Sequence, residues 1–223
     1  MTHNLPRVDA LVPESEATTT PLTIGVTGHR PARLCDADLD VVRGRARDVL
    51  TAIQTTNPAS TTTVLPPLAE GADQIVARVA LDMGYRLACA LPFQRDAYAL
   101  DFAMATAKAE YHALLMLAEA VVELDGTRTT PEERDIAYAA VGAYTVAHAD
   151  AMIAIWDGQQ ARGNGGTAQV VDMALDAGVP VIWIPAARPH ETRVLSPGAD
   201  GTVTNATLSA ANLLGLPRPH ATR

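Results

Sequence analysis

The sequence predicts an α/β protein: a doubly wound, mostly parallel sheet of about six strands with helices on both faces. Three observations predict it. Short, wholly apolar runs recur along the chain, as strands buried on both faces require. Longer segments between them carry apolar residues every three or four positions, the signature of helices lying on a core. Glycine or proline closes many of these runs.

Leu22 to Thr27 is the first apolar run and ends at Gly28. Asp36 to Ile53 follows as a helix, with Asp36 as its N-cap and Leu39, Val42, Ala46, Val49, Leu50 and Ile53 on one face. Thr62 to Leu68 is the second strand, cut short by Pro66 and Pro67. Ala72 to Met83 is a helix stopped by Gly84, and Arg86 to Leu91 a strand closed by Pro92. Ala97 to Ala118 reads as one long helix and Ala120 to Leu124 as the fourth strand. Thr130-Pro131-Glu132-Glu133 is a capping box with proline at the first helical position, opening a helix to about Ala147. Ala151 to Trp156, a glycine loop, a helix from Thr167 to Ala177 and a strand from Val179 to Ile184 complete the pattern. Residues 1–20 read as a mobile arm, 21–187 as the folded domain, and 188–223 as a C-terminal extension with a short helix near Thr207 to Leu214.

Composition narrows the function. The chain has 223 residues and a net charge of −8, which gives no bulk attraction for nucleic acid or an anionic membrane. Of its 17 basic residues only Lys108 is a lysine, so Schiff-base chemistry has one candidate, and that residue follows no glycine loop. Cys35 and Cys89 have no metal-like spacing, and the scattered histidines suggest no metal site. No secretory signal and no uninterrupted apolar stretch of membrane-spanning length is apparent. A cytoplasmic protein without a metal or resident cofactor is expected.

Ligands of such sheets bind outside the carboxyl ends of the strands. After the first strand stand Gly28, His29, Arg30 and Pro31, a turn that lets a ligand approach and offers a forked cationic donor. After the second stand Glu70, Gly71 and Asp73, two carboxylates fit for ribose hydroxyls or for acid–base work. Asp73 would also suit the first turn of a helix for its dipole alone. After the fifth come Asp157, Arg162, Gly163, Asn164, Gly165, Gly166 and Thr167. Exposed backbone N–H groups and a helix N-terminus here make an anion site, most naturally for phosphate. The loop is not a P-loop, since no lysine follows its glycines. His148 and Asp150 flank the fifth strand, and Tyr144 is placed to reach the strand ends or to pack in the core.

Taken together, Ile24 to Pro31, Leu68 to Asp73 and Gly163 to Thr167 resemble the SLOG superfamily, which unites the DNA-processing protein A domain, the Lonely Guy phosphoribohydrolases and many nucleotide-ligand sensors. The similarity covers about Pro21 to Pro185. It implies a Rossmann-like domain, commonly dimeric, that binds a nucleotide or nucleotide derivative. In the Lonely Guy enzymes a glutamate three residues after the threonine helps cleave the N-glycosidic bond. Val170 stands at the matching position here, and Tyr144 at that of the enzymes' arginine. A valine neither moves a proton nor stabilises an oxocarbenium ion. The leading expectation is therefore a homodimeric sensor or accessory module for a phosphorylated, nucleotide-derived small molecule. The first alternative is a nucleotide N-glycosidic hydrolase using Glu70 or Asp73. Single-stranded DNA binding is the second, against which the acidic charge weighs.

Overall fold

The computed structural model describes residues 21–34, 38–58, 60–160, 166–186, 191–198 and 200–214. The expected arm at 1–20, the expected N-cap Asp36 and most of the glycine loop lie outside them.

The elements run β1 (Leu22–Gly28), α1 (Leu39–Thr56), β2 (Thr62–Leu65), α2 (Ala72–Asp82), β3 (Arg86–Leu91), α3 (Arg95–Tyr98), α4 (Ala105–Leu117), β4 (Ala120–Glu123), α5 (Pro131–Ala147), β5 (Ala151–Trp156), α6 (Thr167–Asp176), β6 (Val181–Pro185), β7 (Arg193–Pro197), β8 (Val203–Thr207) and α7 (Ala210–Leu214). They form one sheet of order β4-β3-β2-β1-β5-β6-β7-β8. The strands from β4 across to β6 pair in parallel, while β7 and β8 add antiparallel. This is the doubly wound, Rossmann-like α/β fold that the sequence predicts, widened by two strands. The extra pair left no apolar run to read, because β8 is exposed along almost its whole length.

Alternation along the strands divides the core. In β5, Ile153 and Ile155 join Ile24 and Val26 of β1 beneath α1 and α2, whereas Met152 and Ala154 face α6. Helix α1 buries Val42, Ala46, Val49, Leu50 and Ile53, the stripe its sequence period marks, each large side chain contributing roughly 1.5–3 kcal/mol. It begins at Leu39 with Asp38 as cap, whose side chain accepts from the N–H groups of Asp40 and Val41. The capping box at Thr130 and Glu133 is formed in both directions.

The single helix expected from Ala97 to Ala118 is broken. Helix α3 passes through a 3-10 turn, Ala99–Asp101, into extended backbone at Phe102 before α4 starts. Tertiary partners outweigh helix propensity here. Arg128 donates to the Ala97 carbonyl and to the Asp101 carboxylate, and the Glu70 carboxylate accepts from Ala103 N–H at 3.1 Å. The break turns Tyr98 inward, fully buried beside Phe102 and Tyr111.

The chain walks outward from β1 to β4 and then returns to place β5 on the other side of β1. Strand order therefore reverses between β1 and β5, which pair from Ile24↔Ala151 to Gly28↔Ile155. The crevice beyond Gly28 and Ile155 is the topological switch point.

Candidate functional site

A cleft of about 240 Å³ opens there, walled by the turn after β1, the turn before α2, the middle of α5 and the first turn of α6. Gly28 is needed at its floor because a Cβ would stand 2.3 Å from Ala72 Cβ and 2.9 Å from the Ile155 carbonyl oxygen. Helix α2 can thus dock its first turn on β1, and Ala72 N–H donates to the His29 carbonyl at 3.1 Å. Gly71 at φ +104° allows the approach, since a Cβ there would come within 2.7 Å of the same carbonyl. Leu68, also in the left-handed region at φ +62°, is the one non-glycine residue so placed among the described residues.

His29 is buried, 3% exposed. Its Nε2 lies 3.2 Å from the Asp157 backbone N–H nitrogen and 3.1 Å from Asp157 Oδ1, and its Nδ1 lies 3.4 Å from Thr167 Oγ1. Burial lowers its pKa below 6.5, outweighing the pull of Asp157, so the ring is neutral at neutral pH. Asp157 also binds Arg33 at 2.9 Å. Burial works against its charge, but the hydrogen bonds from Gln159 N–H and His29 and the Arg33 charge prevail and hold its carboxyl below the usual range. Asp157 does not line the cleft; with His29 it ties the end of β5 to the turn after β1.

Arg30 reaches over the cleft, its guanidinium carbon 5.2 Å from the centroid of the Tyr138 ring. Tyr138 in turn donates to Asp101. Asp73 is 3% exposed. Its Oδ2 accepts from Ala69 N–H at 3.1 Å, while Oδ1 has no hydrogen-bond partner among the described residues. Burial pushes its carboxyl up to about 7, against the lowering by Ala69 N–H and Arg30. Across from it, α6 opens at Gly166 with no side chain among the described residues capping its N-terminus, and Gly166 and Thr167 both line the cleft.

The structure separates the two carboxylates that the sequence grouped. Glu70 is buried but turns the other way, onto Ala103 N–H, and with Gly71 lines a second hollow between α2 and α4. Tyr144 is likewise not in the cleft: it stacks on His148, ring centroids 4.0 Å apart. Asp150 accepts from Thr23 N–H at 2.8 Å, at the opposite end of the strands. Arg162, Gly163, Asn164 and Gly165 lie outside the described residues. Val170, where a Lonely Guy enzyme carries its glutamate, is buried against Gly142 and lines the cleft. Tyr98, Tyr138 and Arg33 line it too, without having been expected there. Beside the loop, Trp156 and Trp183 pack with centroids 5.1 Å apart, their indole N–H groups donating to the carbonyls of Gln159 and Trp156. No three His, Cys, Asp or Glu side chains among the described residues are grouped to hold a metal ion. No helix among them is long and apolar enough to cross a membrane.

No protein-family model and no curated protein sequence matches the chain. Solved structures do. DNA processing protein A from Streptococcus pneumoniae aligns with a TM-score of 0.51 over 75% of this chain, at 14% identity. The fold resembles that of DNA processing protein A. The Rossmann-like fold expected from the sequence is thus the fold observed. The chain spans about half, 52%, of the Streptococcus pneumoniae protein. DNA processing protein A from Helicobacter pylori, described for its single-stranded DNA binding mode, gives a TM-score of 0.47 at 16% identity, covering 81% of this chain and 71% of that one. The structural-genomics protein TM1055 gives 0.43 at 15% identity, covering 72% of each chain.

Proposed function

We propose that the cleft binds a phosphorylated, nucleotide-derived small molecule and that the protein acts as a sensor or accessory module for it. One observation carries the reading: the switch point of the sheet brings the N-terminus of α6 and Arg30 to one cleft. Backbone N–H groups, helix dipole and a forked cation together favour a phosphate. The 240 Å³ cleft is smaller than the roughly 300–1,000 Å³ of drug-sized ligand sites, so it takes a fragment such as the sugar phosphate. Isothermal titration with a panel of nucleotides and ADP-ribose-type derivatives, followed by native mass spectrometry of the complexes, tests this. An intact ligand at one per chain is expected, and Gly166→Asp abolishes binding by placing a carboxylate where the phosphate sits. Unchanged affinity in that variant removes the α6 N-terminus from the site.

One observation favours the hydrolase as a second reading. A buried carboxyl at about 7 beside the cleft is poised for proton transfer at neutral pH. Of the two candidates for that role, Asp73 is the one that reaches the cleft, and Glu70 is not. A sugar-phosphate fragment released from a nucleotide, and lost in Asp73→Asn, would support it. The fold likeness to DNA processing protein A also weighs against the expectation that nucleic acid is no partner. A single-stranded oligonucleotide therefore belongs in the titration, and salt-sensitive binding would carry that reading.

A further inference from the structure

Asp73 Oδ1 is a buried carboxylate oxygen with no hydrogen-bond partner among the described residues. Such an oxygen is costly when nothing bonds to it, the more so if charged, and its presence in a fold calls for a partner from outside. The turn before α2 is built to keep it. Leu68 adopts the strained left-handed region, and its neighbour Ala69 turns its N–H onto Oδ2. That leaves Oδ1 as the free acceptor of a residue that lines the cleft together with Arg30, Gly166 and Thr167.

We propose that Asp73 is the sugar-hydroxyl contact of this cleft and that ligand binding there expels a proton. This rests on the phosphate reading above and adds the ligand class: a ribose 5-phosphate unit, with its phosphate at the start of α6 and one hydroxyl donating to Asp73 Oδ1.

The chemistry follows from the surroundings. A second phosphate oxygen against Asp73 would meet a like charge, whereas a hydroxyl brings a donor. The charged and titratable groups facing Asp73 are Arg30 from the turn after β1, Tyr98 from α3 and Tyr138 from α5, with Asp101 behind the tyrosine. His29, neutral, and Arg33 share the cleft. Arg30 is the cation beside it that supports the carboxylate. With the cleft empty, burial keeps Asp73 protonated up to about pH 7. A hydroxyl donor stabilises the carboxylate, so below that pH the proton leaves as the sugar binds.

The test titrates the full chain with ribose 5-phosphate and with methyl phosphate, which shares the phosphate monoester and lacks the hydroxyls. Calorimetry in buffers of different ionisation enthalpy counts the protons. Ribose 5-phosphate is expected to bind at least tenfold tighter than methyl phosphate at about pH 8, with a ratio severalfold smaller at about pH 6. It also releases more protons than methyl phosphate near pH 6.5. Asp73→Asn brings ribose 5-phosphate to the affinity of methyl phosphate, removes the excess proton release and leaves methyl phosphate binding unchanged. Equal affinity of the two probes for the wild type, or no excess proton release, overturns the assignment of Asp73 while the phosphate reading stands. If neither probe binds, the phosphate reading falls and this one with it. The wild-type proton count decides the matter even if the variant does not fold.

Discussion

At Asp73 the folded and unfolded chains hold a proton over different ranges of pH. The folded carboxyl keeps it to about 7, the unfolded one only to its ordinary 3.8. Between these values the folded state binds more protons, so stability falls as pH rises through the window and is fully present only below it. Three pKa units correspond to on the order of 4 kcal/mol. Asp73→Asn has nothing to titrate and keeps an acceptor for Ala69 N–H. Its melting temperature relative to wild type is therefore expected to climb from about pH 5 to about pH 8, and parallel profiles by calorimetry would refute this. At this scale the sequence told much but not all. Gly28, His29, Arg30 and Asp73 could be placed at strand ends by counting from apolar runs. Tyr138 could have been preferred to Tyr144 by direction alone, since a helix leading into a parallel strand runs against it and its last turn lies at the strand's near end. Glu70 could not be told from Asp73, because which way each turns depends on Leu68 at positive φ and on the loop at Ala103.

Among the elements, those with local signals were legible and those held by distant partners were not. The capping box predicted the start of α5 to the residue, because both of its hydrogen bonds form within four positions. Thr130→Ala removes the acceptor for Glu133 N–H at 3.2 Å and is expected to cost about 1 kcal/mol in urea unfolding, with the slope unchanged. A loss below a few tenths would mean that water replaces the cap. The split between α3 and α4 carried no comparable signal: Arg128 and Glu70, which impose it, lie about thirty residues away on either side. Only the fold shows that this break is what supplies Tyr98 to the cleft.

For the whole molecule, the alternation of strand and helix sufficed for the architecture, while the strand order that puts the switch point between β1 and β5 is seen only in the fold. The width of the sheet was not legible, since β7 buries only Val194 and Leu195 and the exposed β8 is held at the edge by pairing with β7. The homodimer expected from the resemblance is a matter of this scale. Exposed Leu100, Met104, Met116, Leu117 and Ile136 offer apolar surface beyond the needs of the core. Sedimentation at micromolar concentration is expected to give twice the chain mass, and a single-chain mass would retire the dimer. The two tryptophans of the chain, meanwhile, sit ring against ring beside the loop that leads into α6. One is fastened to Gln159 within that loop. The molecule thus comes with a built-in optical gauge: a ligand that reshapes the loop should alter the emission of this aromatic couple, so occupancy can be followed without attaching a dye.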